Sequence, residues 1–535
     1  MFAYGVLPPA MFLCMICFML YGFPVAFTLG AVGLLFGAIG IATEHFHPSF
    51  LSALPHRFFG IISNDLLLAI PFFTFMGAVL ERSGLAEDLL EGTGKLFGAV
   101  PGGLAYAVIV VGAILGAITG TVAASVITMG VISLPVMLRY GYNPRLATGV
   151  IAASGTITQL IPPSLVLVVL ADQLGRSVGD LYLGAMGPSA LQVLIFLGYI
   201  LVLSLIRPQD MPPLPPEVRG ELNAALVVKV LMGIVPSMAL IFLVLGTIFI
   251  GLATPTEAGA LGVVGAFVLA LLHGRLNFRM MRDAVHATAD LTVMVVFILI
   301  GATLFSLVFQ GMDGGRWIEH LLSHLPGGPI GFLIFVNIFI FFLAFFLDFF
   351  EIAFIVVPLL APVAQSLGID LVWFGVLLCI NMQTSFMHPP FGFALFYLRS
   401  IASREVKTTD IYMGAIPWLV MQLLLVVVVI FWPGLVTGLL DKGPAVDLDS
   451  VSIELPAGNL GAWISPAGWG SRPLAGSRPG SRSSGRPRRG SRPSASRRSA
   501  RRTETKKAPR QRGFPAGKSS GYSLFALRCC IMNVS

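Results

Sequence analysis

Between residues 7 and 440 the chain is a succession of apolar runs, most of them about as long as a bilayer is thick, separated by short polar breaks. No other feature constrains the fold as strongly. A hydrocarbon core about 30 Å thick takes about 20 apolar residues per helix, and within it every backbone N–H and C=O must be paired inside the protein. Composition agrees: 56% of the 535 residues are hydrophobic and 11% charged, against roughly 25% charge in soluble domains. The chain therefore reads as an all-α polytopic membrane protein. Ten spans are expected near 7 to 21, 24 to 43, 63 to 80, 146 to 170, 181 to 206, 230 to 250, 256 to 273, 291 to 311, 372 to 398 and 412 to 440. Two further stretches, 104 to 138 and 329 to 365, are too long for one span and are interrupted near the middle, which suggests re-entrant hairpins.

The first half recurs in the second. Pro101-Gly102-Gly103 returns as Pro326-Gly327-Gly328, Pro162-Pro163 as Pro389-Pro390, and Gly179-Asp180-Leu181-Tyr182 as Thr409-Asp410-Ile411-Tyr412, at offsets of 225, 227 and 230. Asp65 to Asp290 and Pro135 to Pro362 extend the series. The duplicated unit is far too long for a solenoid repeat. It divides the chain into N-terminal helices (1–62), a first repeat (63–206), a linker with two helices (207–290), a second repeat (291–440) and a tail (441–535). If each hairpin returns to its own side, five crossings separate the repeat starts, so the repeats are inverted. Charge provides an independent check: with Arg139 and Arg145 in the cytoplasm, thirteen Lys and Arg gather on that side and four (Arg57, Arg176, Arg316 and Lys442) on the other, as the positive-inside rule requires.

The formal net charge of +8 suggests an anionic partner, but its distribution removes that reading. Residues 471–535 hold 17 of the 34 basic residues and one acid, Glu504, so the remainder is net −8. The tail is disordered by composition, and as a nucleic-acid arm it would lie on the wrong side of the membrane. Cys14, Cys17 and Cys379 sit in apolar runs, so neither a disulfide framework nor a metal cluster is expected. No Lys or Arg precedes Arg57, so the first hydrophobic segment lacks the basic flank of a cleavable signal. The loops carry no phosphate-binding loop, nucleophile elbow or paired acid and base, and no enzyme is expected.

Inverted repeats with interrupted helices point to a secondary transporter, whose sites lie where broken helices expose polar backbone at mid-membrane. Four interruptions qualify: Thr119-Gly120-Thr121 followed by Ser125; Ser154-Gly155-Thr156 before Pro162-Pro163; a hairpin turn around Asp348 to Glu351; and Gln383-Thr384-Ser385 before His388-Pro389-Pro390. Hydroxyls, amides, a carboxylate and carbonyls left unpaired by proline suit a hard cation. Asp348 is either a ligand or a helix cap, and His388 reads better as a helix-contact residue than as a proton-linked ligand. Two amphipathic stretches, 83–100 and 313–325, read as interfacial arms leading into the hairpins. Residues 207–228, rich in proline, read as a stiff linker.

The stretches AIPFFTFMGAVLERSGL from Ala69, LGAITGTVAAS from Leu115, GYNPRLATGVIAASGTITQLIPPS from Gly141, GDLYLGAMGP from Gly179 and ATPTEAGALGVV from Ala253 resemble the large membrane subunit of tripartite ATP-independent periplasmic (TRAP) transporters, the DctM-like permeases. The resemblance covers roughly residues 1 to 440. It implies a sodium-coupled importer of organic acids in the bacterial inner membrane, working by an elevator motion. It also implies a periplasmic solute-binding protein and a small DctQ-like membrane subunit as partners, with sodium as coupling ion and no other cofactor. By matching position, the first sodium site falls around Thr119, Gly120, Thr121, Ser125, Ser154, Gly155 and Thr156, and the second around Asp348, Gln383, Thr384 and Ser385. DFFE at 348 and SFMHPPFG at 385 resemble a subgroup labelled for mannitol or chloroaromatic compounds that includes importers of 2-oxo acids. The alternative reading is a stand-alone cation:carboxylate symporter of similar architecture.

Overall fold

The structure, a computed structural model, describes residues 6–219, 224–323, 325–389 and 392–440, and these are helical with short connections. The helices are α1 Leu7–Leu20, α2 Val25–Ala42, α3 Leu54–Ile62, α4 Asp65–Arg82, α5 Leu85–Phe97, α6 Gly103–Thr119, α7 Val122–Arg139, α8 Pro144–Thr156, α9 Leu165–Leu174, α10 Val178–Ile206 and α11 Pro216–Arg219. They continue as α12 Ala224–Phe249, α13 Pro255–Leu272, α14 Phe278–Gly311, α15 Gly314–Ser323, α16 Gly328–Leu343, α17 Phe349–Glu351, α18 Val357–Ser366, α19 Leu371–Met382, α20 Phe393–Ile401, α21 Thr408–Phe431 and α22 Gly434–Thr437. Among the described residues eight helices are long and apolar enough to cross a membrane, or up to ten if each bent pair counts as one span. The chain is a polytopic membrane protein.

Helix starts follow from capping chemistry, in which a short polar side chain accepts from the first unpaired N–H groups. Asn64 caps α4, Asn143 caps α8 with Pro144 at its first position, Ser177 caps α10 and Asn277 caps α14. Thr254 and Glu257 form a reciprocal capping box at α13, so the ATPTEAGA stretch is a helix start.

The expected correspondence between the halves appears element by element. The α6–α7 hairpin is matched by α16 followed by α17 and α18, and the broken pair α8–α9 by α19–α20. The amphipathic stretches form α5 and α15; of the second, His324 lies outside the described residues. Each arm is flanked by left-handed backbone: Gly84 (φ 76°) and Gly102 (φ 80°) around α5, Asp313 (φ 62°) and Gly327 (φ 94°) around α15.

Three expectations need correction. The helix expected over 291–311 begins at Phe278 and runs 34 residues, straight through the 290/291 boundary. Hydropathy cut it short because Arg279, Arg282, Asp283 and Asp290 occupy its first turns, although charge at a helix end protruding from hydrocarbon costs little. The corresponding part of the first repeat is bent, with the segment Pro48–Ile62 meeting α4 at 43°. The turn of the second hairpin lies at Ala344 to Leu347, with Asp348 to Glu351 already opening the returning helix. The span expected to reach 440 ends at Phe431, where Pro433 cannot continue the helix. The linker is held as well as stiff: Gly102 N–H donates to Met211 O (2.9 Å), Leu214 N–H to Gly98 O (2.9 Å) and Asn143 N–H to Asp210 O (2.9 Å). Residues 220–223 of the linker, Pro390 and the tail from 441 lie outside the described residues.

Glycines set the closest approaches between the halves. A Cβ on Gly149 of α8 would lie 2.2 Å from Gly414 O of α21, and one on Gly414 would lie 2.2 Å from Arg145 O. Small residues let membrane helices touch backbone to backbone, the substitute for a hydrophobic driving force in lipid.

Candidate functional site

The first hairpin turns where α6 ends at Thr119, and Gly120 takes the left-handed conformation (φ 62°) that glycine adopts without steric cost. Thr121 then starts α7. The two ends of the tip are tied by a buried hydroxyl pair, Thr119 Oγ1 to Ser125 Oγ at 2.7 Å. The hairpin lies directly against the first broken helix: a Cβ on Gly112 would fall 2.6 Å from Ser154 Cβ, and one on Gly155 would fall 3.1 Å from Val126 N. Gly155 is therefore needed for close approach. Ser154 and Gly155 of the break thus pack on Gly112 and Val126 of the hairpin, while Thr119 and Ser125 pair with each other at its tip.

The break is built from hydroxyls. Ser154, Thr156 and Thr158 donate back to Ile151 O (2.8 Å), Ala153 O (3.0 Å) and Gly155 O (2.8 Å), a back-bonding that bends helices. The helix tightens to a 3-10 turn at Ile157–Gln159 and restarts at Leu165, after Pro162 and Pro163. Pro163 has no N–H for Gln159 O, yet that carbonyl is not left for an ion as expected. It accepts from the Ser164 hydroxyl and from Cys379 Sγ, the latter at 3.4 Å. The hydroxyls keep lone pairs for further contacts.

The second break, Gln383–Met387, is also a 3-10 turn, with Thr384 Oγ1 donating to Asn381 O (2.7 Å). Among the described residues Ser385 Oγ is buried with no partner, as are both ring nitrogens of His388. The His388 ring packs on Phe341 and Phe345, with centroids 4.4 and 4.2 Å away. Asp348 caps α17, its Oδ1 accepting from Phe349 N–H (2.7 Å), while Glu351 accepts from Asp348 N–H (3.0 Å) to close a capping box. Among the described residues Asp348 makes no hydrogen bond to Gln383, Thr384 or Ser385. Phe349 and Phe386 meet instead, at 6.2 Å between centroids.

Side-chain amides join the two breaks around Thr156. Gln383 Nε2 donates to Thr156 O (2.8 Å), Gln192 Nε2 donates to Gln383 Oε1 (2.7 Å), and Gln422 Nε2 donates to Thr156 Oγ1 (3.0 Å). The donors fix every orientation: a carbonyl can only accept, and the Thr156 hydroxyl is already donating to Ala153. Gln192 and Gln422, with Asn337 and Asn381, were missed from the sequence. Their signal was an amide side chain alone in an apolar run, where hydrogen bonds between helices are its usual use.

Residues 12–435 match the family model described as the tripartite ATP-independent periplasmic transporter, DctM component. The chain belongs to the DctM family. This DctM chain is 31% identical over 390 residues to the C4-dicarboxylate TRAP transporter large permease protein DctM of Pseudomonas aeruginosa, covering 72% of this chain and 89% of that one. It is 26% identical to the sialic acid TRAP transporter large permease protein SiaM of Vibrio cholerae (77% and 93% covered). It is 27% identical to the isethionate TRAP transporter permease protein DctMQ of Oleidesulfovibrio alaskensis (75% and 61%). The fold is shared with the YdaH transporter of Alcanivorax borkumensis at a TM-score of 0.54 and 15% identity, over 81% of this chain and 100% of that one. A DctM chain is a transport permease and not an enzyme.

Proposed function

We propose that this DctM chain is the permease subunit of a sodium-driven importer of a small organic acid, seated in the bacterial inner membrane. A periplasmic binding protein delivers the acid, and a small DctQ-like subunit pairs with the permease. The observation that carries this reading is the junction of two broken helices, one from each repeat, through Gln383 and Thr156. Hydroxyls of Thr119, Ser125, Ser154, Thr156, Thr384 and Ser385 lie buried beside these breaks. Neutral oxygen donors of this kind suit a monovalent hard cation, which has to be released again and so is better served by weak ligands than by a cluster of carboxylates. The inverted relation of the repeats allows both sides of the membrane to reach the same centre in turn. Relatives named for a C4-dicarboxylate, sialic acid and isethionate support an anionic cargo without choosing one.

The test is uptake into proteoliposomes holding the permease and its small subunit, with a sodium gradient and the binding protein encoded beside it. Candidate acids, beginning with succinate, are screened first for binding to that protein. Uptake should require both the gradient and the binding protein, and Ser154→Phe or Thr384→Phe should abolish it. Full uptake without a binding protein would favour a stand-alone cation:carboxylate symporter; uptake indifferent to sodium would overturn the coupling.

A further inference from the structure

A cavity of about 400 Å³ opens on the face that the charge bias places outside the cytoplasm. Its walls include Arg57 from α3, Asn64 before α4, Asp172 and Gln173 at the end of α9, and Thr303 and Ser306 from α14. It also touches Phe354 and Pro358, six and ten residues beyond Asp348, which is about 9 and 15 Å along a helix. Asp172 likewise lies seven residues, about 10 Å, beyond the restart of the first broken helix at Leu165. The cavity thus touches the outer end of the first broken helix and the middle of the helix that returns from the second hairpin.

Its electrostatics are uneven. The Asp172 carboxylate is already engaged by two amides, Asn64 Nδ2 on Oδ1 (2.6 Å) and Gln173 Nε2 on Oδ2 (2.8 Å). The Arg57 guanidinium is exposed and has no ion pair or hydrogen bond among the described residues. Arg57 is also one of four basic residues that the topology puts outside before the basic tail begins. An arginine without a partner among the described residues, on a cavity whose wall also has the hydroxyls of Thr303 and Ser306 among apolar residues such as Ile61, Leu67, Leu299 and Phe354, has the chemistry of a carboxylate receiver. The repeat supplies a counterpart: Arg57 precedes Asp65 by eight residues, and Arg282 precedes Asp290 by eight.

We propose that this cavity is an outer anion vestibule in which Arg57 draws the acid substrate from the periplasmic side towards the broken-helix site. The chemical class is a small organic anion, and the assignment rests on the transport reading given above.

The test reads charge at the cavity wall and needs no transport. In a chain with Cys14, Cys17, Cys529 and Cys530 replaced by serine and the buried Cys379 kept, Thr303→Cys is labelled from the outside in right-side-out vesicles. The probes are a sulfonate and a trimethylammonium methanethiosulfonate. At about 0.01 M salt, where the Debye length is about 30 Å, the sulfonate-to-ammonium rate ratio should fall on the order of tenfold when Arg57→Gln is added. It should stay near the original value with Arg57→Lys, and the difference should shrink at high salt. A ratio unmoved by Arg57→Gln would overturn the vestibule, as would a Cys at 303 that neither reagent reaches. Labelling as expected without sodium-dependent uptake would instead count against the transport reading alone.

Discussion

At the scale of single residues, the Gln383 amide bonds on both sides. Gln383→Leu strands Thr156 O and Gln192 Nε2 in a dry interior, at about 1–3 kcal/mol for each unsatisfied group. Gln422→Leu removes one donor from a Thr156 hydroxyl that still bonds Ala153 O, so its cost should be nearer 1 kcal/mol. Thermal unfolding in detergent should rank the two in that order, and equal losses would show that Gln383 is not the central link. Gly149 makes a different argument. A methyl there meets the backbone of Gly414, which cannot swing aside as a side-chain tip can, so Gly149→Ala should cost about 1–3 kcal/mol or more. Gly198 has nothing within 4 Å of its notional Cβ, so Gly198→Ala should leave the melting temperature unchanged or slightly raised. Little of this was legible beforehand. Gly155 and Thr156 stand out in a sequence because they interrupt an apolar run, whereas the amides that orient them lie in α10 and α21, remote in sequence, and only the folded chain brings them together.

At the scale of elements, the two arms are the parts whose ends are built to turn. Both are flanked by left-handed residues, and Gly84→Ala would force an L side chain into that conformation at about 1–2 kcal/mol. If α5 has to pivot during the cycle, uptake should fall further than the loss of stability accounts for. Parallel uptake and melting measurements on this variant separate pivot from strain, and uptake that simply tracks stability would make α5 a passive connection. Elements were read well where hydropathy and proline mark them, as at both broken helices and the first hairpin tip. They were read less well where charge and helix coexist: the first turns of α14 looked like loop because Arg279 and Arg282 are unwelcome in lipid, yet nothing in those residues opposes a helix in water. The turn of the second hairpin precedes the residue that the sequence marks for it for a related reason: Asp348 is a polar break in an apolar run, and such a break signals a helix start as readily as a turn.

At the scale of the whole molecule, the family match ends at residue 435, and the basic segment begins only after 470. The transporter should therefore not need the tail: a chain truncated after residue 466 should show the same sodium-driven uptake per molecule in the proteoliposome assay, and a large loss would show that the tail contributes. One further consequence concerns what holds still. Helix α14 has 34 residues, about 51 Å at helical rise, against a hydrocarbon layer of about 30 Å. Its lower turns carry Arg279, Arg282, Asp283 and Asp290, and dragging an arginine or aspartate to the bilayer centre costs about 2.5–3.5 kcal/mol apiece. Such a rod cannot bob along the membrane normal. It is a keel, pinned in depth by its own ballast, and any shorter helix that had to slide in the membrane would have in it a fixed mark to slide against.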